Sequence, residues 1–126
     1  MKYSFDTNDI LHSGNKVFAI DLDYTLIKHT KSLPPYIPKR EIKERPNREL
    51  VNYLWKLRKD RPDVVLCVLS SRWWGEYNTV NNWIKKWNIP IDYIELGRFK
   101  ADVLIDDRNV NGTLKGWQKQ VDKLLK

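Results

Sequence analysis

Four short apolar runs divide the chain: Val17–Ile20, Val64–Leu69, Ile91–Ile94 and Val103–Ile105. They are rich in β-branched residues and mostly bounded by polar or turn residues, the pattern of strands. Three are near-continuous rather than alternating, as in parallel strands covered on both faces. Elsewhere the spacing is helical. Leu50, Leu54 and Leu57 share a face over 47–59, and Tyr77, Val80, Ile84 and Trp87 share one over 75–87. Leu114, Trp117, Val121 and Leu124 make a third stripe. Pro62 and Pro90 punctuate two helix-to-strand connections, since proline cannot continue a helix. The alternation predicts an α/β domain, a three-layer parallel sheet of at least four strands with right-handed crossovers. Residues 1–14 fit no element clearly, and a helix but no fifth strand is expected beyond residue 107.

The length of 126 residues suits a single domain over 1–126 with one modest core. Hydrophobic residues are 41% and charged residues 31% of the chain, a globular rather than disordered profile. No apolar run approaches the roughly 18 residues of a membrane helix. The opening carries Asp6 and Asp9 and no apolar block, unlike a secretory signal. The lone cysteine, Cys67, permits no internal disulfide and fits a reducing compartment, so a cytoplasmic location is expected. A net charge of +7 favours a polyanionic partner or substrate.

The candidate chemistry gathers where apolar runs meet polar residues. Val17–Ile20 leads into Asp21, with Asp23 two residues on, so an extended chain turns both carboxylates to one face. Val103–Ile105 leads into Asp106 and Asp107, and Val64–Leu69 into Ser70, Ser71 and Arg72. Ligands of open parallel sheets bind beyond the carboxyl ends of the strands. Neighbouring strands lie about 4.8 Å apart, so these groups can converge. Four aspartates at one edge repel unless a cation sits among them, and their hard oxygens suit Mg²⁺. A Mg²⁺ ion amid carboxylates points to work on phosphate. His12, His29 and Cys67 are scattered, without zinc spacing, and neither histidine suggests a role. Plainer roles compete at each position: turns or caps for the aspartates, an N-cap for Ser70, solvated surface for the cations.

Asp21-Leu-Asp-Tyr-Thr25 resembles the D-x-D-x-T motif of the haloacid dehalogenase (HAD) superfamily of phosphatases. Ser70 matches that family's second motif, Lys100 or Arg98 its basic third, and Asp106–Asp107 its acidic fourth; the resemblance spans residues 16 to about 110. Receiver domains of response regulators use similar residues, but there the acidic pair comes early and the lysine last. The resemblance implies a Rossmann-like, HAD-like sheet and a Mg²⁺-dependent phosphomonoester hydrolase. Asp21 would attack phosphorus to form an aspartyl-phosphate, and Asp23 would serve as general acid, then base. Mg²⁺ would be held by Asp21, the Asp23 carbonyl and Asp106, with Asp107 farther out. Metal contact would keep Asp21 ionised, while a drier setting would favour protonated Asp23. Thr25 would brace the Asp21 loop. Ser70 and the third-motif cation would bind the transferred oxygens, with Ser71, Arg72 and Trp73 near the substrate. Related small members often read Gly-Lys-Pro where this chain has Gly97-Arg98-Phe99-Lys100. Arg98 keeps the position and Lys100 the residue type; the two cations are not equivalent, and Lys100 ranks slightly ahead.

Many HAD phosphatases close a cap domain over a small substrate. Here the chain from Ser70 to Lys100 has room for one helix and one strand. Residues 26–46, with Pro34, Pro35, Pro38 and Pro46, suit a flap rather than a domain. No cap is therefore expected, and open members tend to act on large substrates. Residues 28–48 hold seven cations against Glu41 and Glu44, a net +5. A basic flap at the pocket mouth would attract a polyphosphate backbone, although such charge also serves solubility. Trp73 and Trp74 follow the second motif; rings there either pack in the core or stack bases. The substrate expected is a nucleic-acid end or a nucleotide. The alternatives are a small sugar phosphate, a phosphoprotein, or a non-catalytic nucleic-acid-binding role on the same fold.

Overall fold

A computed structural model describes residues 16–29, 40–98, 108–112 and 115–125. Three strands, β1 (Lys16–Asp21), β2 (Val64–Leu69) and β3 (Tyr93–Glu95), form a parallel sheet in the order β1-β2-β3. Among the described residues three helices join them in an α/β arrangement: α1 (Arg48–Asp60), α2 (Tyr77–Lys86) and α3 (Trp117–Leu124). The register pairs Asp21 with Leu69 and Leu69 with Glu95. The three strands therefore end level, and whatever follows them emerges at one edge. The fourth expected strand, Val103–Ile105, lies outside the described residues.

In β2, the consecutive residues Leu66, Cys67 and Val68 are all buried. Because successive side chains point to opposite faces, both faces of this strand are covered, as its unbroken apolar run predicts. The other edge of β1 carries no strand among the described residues, and only Ile20 of β1 is buried. β3 begins two residues later than the apolar run suggests. Asp92 explains the delay: its backbone N–H donates to Leu66 O, while its carboxylate accepts the Leu66 N–H at 2.7 Å and Arg58 at 2.6 Å. A side chain thus replaces one rung of the ladder.

Helix α1 buries Leu50, Leu54 and Leu57 as its spacing predicts, with Val51 and Tyr53 beside them. Asn47 caps it, its side chain accepting from Leu50 N at 3.2 Å. Arg58 and Lys59 close it, where cations suit the helix dipole. The helix expected over 75–87 divides into a 3₁₀ turn at Trp74–Glu76 and α2, which buries Val80, Trp83 and Ile84. Asn88, at φ +51°, ends it in the left-handed conformation that asparagine tolerates. Helix α3 buries Trp117 and Val121, and Tyr53 reaches Asp122 at 2.7 Å. Leu124, expected on the same stripe, is exposed instead, and Leu125 packs against the core in its place; Leu114 lies outside the described residues.

Burial pushes the Cys67 thiol up to about 11. Folded protein at pH 8 should resist iodoacetamide, and one alkylation should appear in guanidinium by mass spectrometry. Labelling of the native protein would show that β2 is not sealed.

Candidate active site

The turn after β1 is held from beneath by apolar anchors. Leu22, Leu26 and Ile27 are fully buried, and Leu26 N and Ile27 N donate to the carbonyls of Asp21 and Leu22 at 3.2 and 2.8 Å. With Ile20 and Leu22 buried, the residues that alternate with them, Asp21 and Asp23, are left at the sheet edge. Tyr24 between these anchors takes φ +64°, a left-handed conformation that a bulky side chain rarely adopts. The described part of the expected flap is fastened down. Ile42 enters the core, Trp83 donates its indole N–H to Glu44 O, Lys28 N donates to Arg45 O, and Ile27 bridges Pro46. Asn47 joins helix to turn, its N–H donating to Leu26 O and its side-chain amide to Thr25 O.

Asp21 and Asp23 occupy opposite electrostatic settings. Burial raises the Asp21 carboxyl above its ordinary value; the Arg98 charge and a 3.5 Å hydrogen bond from Thr25 Oγ1 only partly oppose this. Burial also acts on Asp23, but its partners outweigh it. Arg72 grips it with Nε at 2.9 Å and Nη2 at 2.8 Å, and His29 Nε2 lies 3.0 Å from Oδ1. Asp23 is therefore held below the usual carboxylate range. The chain's own groups thus set the two carboxylates apart, Asp21 raised and Asp23 lowered. The reason is the planar two-point fork that Arg72 offers to a carboxylate.

Arg72, expected near the substrate, is thus committed to a protein partner, and its Nη1 also lies 3.5 Å from the buried Glu76. Ser70 is buried at the end of β2. Its Oγ accepts the Arg72 N–H at 3.1 Å, its N–H donates to Glu95 O at 3.0 Å, and its carbonyl accepts the Arg98 N–H at 2.9 Å. Ser71, Trp73 and Arg98 are exposed. Lys100, Asp106 and Asp107 lie outside the described residues. Asp21, Asp23, Thr25, Ser70, Arg72 and Arg98 therefore meet at one edge, linked by these bonds and charges.

His29 and Glu76 are site residues that the sequence did not disclose. His29 has no motif around it and returns to Asp23 only because the turn folds back. Its ring lies 4.6 Å from that of Tyr24. Among the described residues, no three His, Cys, Asp or Glu side chains make a complete metal set. The hard oxygen of Asp21, in a buried setting that disfavours its lone charge, fits one ligand of a Mg²⁺ ion.

No family model matches the chain, and no curated protein does. Two solved structures share its fold. A structural-genomics target from Vibrio cholerae is 19% identical at a TM-score of 0.61, over 86% of this chain and 98% of that one. A chain of the Pnkp1/Rnl/Hen1 complex is 23% identical at a TM-score of 0.53, over 73% of this chain and 30% of that one. These likenesses establish a shared α/β fold. No helix among the described residues is long and apolar enough to cross a membrane.

Proposed function

We propose that this chain is a Mg²⁺-dependent phosphomonoester hydrolase of the HAD type, with a three-layer Rossmann-like sheet and no cap domain, acting on a nucleic-acid end or nucleotide. One observation carries the reading: Asp21, Asp23, Ser70 and Arg98 converge at the level carboxyl ends of adjacent parallel strands. From Ser70 to Arg98 the chain makes only the 3₁₀ turn, α2 and β3, which fits an open site.

In this reading an Asp21 oxygen forms a bond to phosphorus as the bond to the leaving oxygen breaks. Asp23 supplies the leaving oxygen with a proton from the minority form in which its carboxyl is protonated and its pairing with Arg72 is given up. Water then attacks the aspartyl-phosphate, Asp23 takes a proton from it, and phosphate leaves with Asp21 restored. The Arg72 pair favours the base form of Asp23, which suits the second step. Ser70 and Arg98, or Lys100, bind the phosphoryl oxygens. Asp21, the Asp23 carbonyl and Asp106 would hold Mg²⁺, with Asp107 farther out, and a bound ion would supply charge to offset that on the phosphoryl oxygens.

The test is phosphate release from glycerol phosphate and from a phosphorylated oligonucleotide, with Mg²⁺ and with chelator. Release that needs Mg²⁺ is expected from both. Only the oligonucleotide rate should fall steeply between about 50 and 200 mM salt, since only a polyanion releases many counterions on binding. No release from either substrate under any condition would count against hydrolysis, and a flat salt response would count against the nucleic acid.

A further inference from the structure

Five large hydrophobic side chains are exposed among the described residues, and three of them, Tyr24, Trp73 and Trp74, follow Asp23 or Arg72 by one or two positions, with the Tyr24 ring 4.6 Å from that of His29. Singly exposed apolar residues are ordinary on a protein surface, but three aromatic rings beside one carboxylate pair are not. Asp23 and Arg72 are locked together, and Tyr24 and Trp73 are the next residue after each. Tyr24 is 50% and Trp73 54% exposed. Each is also held at a cost or by a dedicated neighbour. Tyr24 sits at φ +64°, where glycine would be relaxed. Trp73 lies against Gly75, where a Cβ would collide with ring atoms Cη2, Cζ2 and Cζ3. Trp74 lies against Gly97, with Nε1 3.2 Å from where a Cβ would stand. A chain that needed only a turn at these places could use small polar residues.

We infer that Tyr24 and Trp73 form an aromatic jaw around the Asp23–Arg72 pair that stacks the terminal bases of a single-stranded nucleic acid. This rests on the phosphatase reading only for the position of the phosphate. Rings also stack sugars and organic cations. The chain's net charge of +7 disfavours the latter and favours a strand with several phosphates. Stacking tolerates any base, because every base has a π-face.

The test uses two labelled oligodeoxynucleotides phosphorylated at both ends, one carrying all its bases and one with abasic terminal nucleotides. Affinity is read by fluorescence anisotropy and turnover by phosphate release. The base-bearing strand should bind about 5- to 100-fold more tightly. That ratio should hold at high salt, since both strands carry the same charge. Tyr24→Gly relaxes the backbone while removing a ring, and Gly75→Ala displaces the Trp73 indole while keeping it. Both should narrow the ratio, as should Trp73→Ala, whereas Tyr24→Phe should preserve it. Equal affinity for the two strands, or a ratio unmoved in all three variants, overturns the jaw. Equal affinity with phosphate release removes the jaw and leaves the phosphatase; selective binding without release does the reverse.

Discussion

Asp21→Asn is expected to reduce phosphate release by about 1,000-fold or more while leaving the melting temperature unchanged or slightly higher. The two halves of that result have one origin. Burial raises the carboxyl above its ordinary value, so at neutral pH the folded chain bears a cost for keeping Asp21 charged. An amide of nearly the same shape removes the cost and leaves the turn's anchors, Leu22, Leu26 and Ile27, in place. It also removes the attacking oxygen. A site that spends stability on a reactive group is the usual relation between activity and stability. Activity that survived the change would remove Asp21 from its role. A melting temperature several degrees lower would show the residue to be part of the scaffold.

Metal linkage checks the same residue without turnover. A ligand that binds only the folded chain raises its stability in proportion to log concentration once above Kd. Mg²⁺ should raise the melting temperature of the wild type and raise that of Asp21→Asn less. Equal shifts would place the ion elsewhere.

The sequence disclosed the parts of this fold that depend on local pattern. The unbroken run Val64–Leu69 reads as a doubly covered strand because Leu66, Cys67 and Val68 must each find apolar neighbours. The Leu50–Leu54–Leu57 stripe is equally local. What was not legible depends on contacts between distant segments. The Asp92 carboxylate takes a rung of the ladder from Leu66, 26 positions away, and so shortens β3. Arg72 looks like a substrate cation in sequence, and only the fold reveals that it faces Asp23, 49 positions away. His29 has no neighbouring motif; its role follows from a turn whose geometry is set by three buried side chains. The electrostatic order of Asp21 and Asp23 was hidden for the same reason, since it depends on which cation each carboxylate meets.

That cation is open to direct test. Arg72→Ala should lower stability by about 1–3 kcal/mol, less than the roughly 3–5 kcal/mol lost on breaking a fully buried pair, because water still reaches the site. The side chains of Arg72 and Asp23 are 19% and 21% exposed. In a domain of this size the loss corresponds to a fall of roughly 3–10 °C in melting temperature. Much of it is the penalty on an Asp23 carboxylate left with His29 alone, so adding Asp23→Asn should recover part of the stability. Arg72→Lys should fall between, since a point charge cannot reproduce the two-point fork. The sign of the pH dependence follows from the depressed value of Asp23. The pairing contributes fully above 3.8, the usual aspartate value, and is lost as pH falls through the lower native one. In metal-free buffer the gap between wild type and Arg72→Ala should therefore be widest near neutrality and narrow below pH 3.8. A gap that stayed constant through that window, or a double variant no more stable than Arg72→Ala, would mean that Arg72 acts through packing or through Glu76 rather than by holding Asp23.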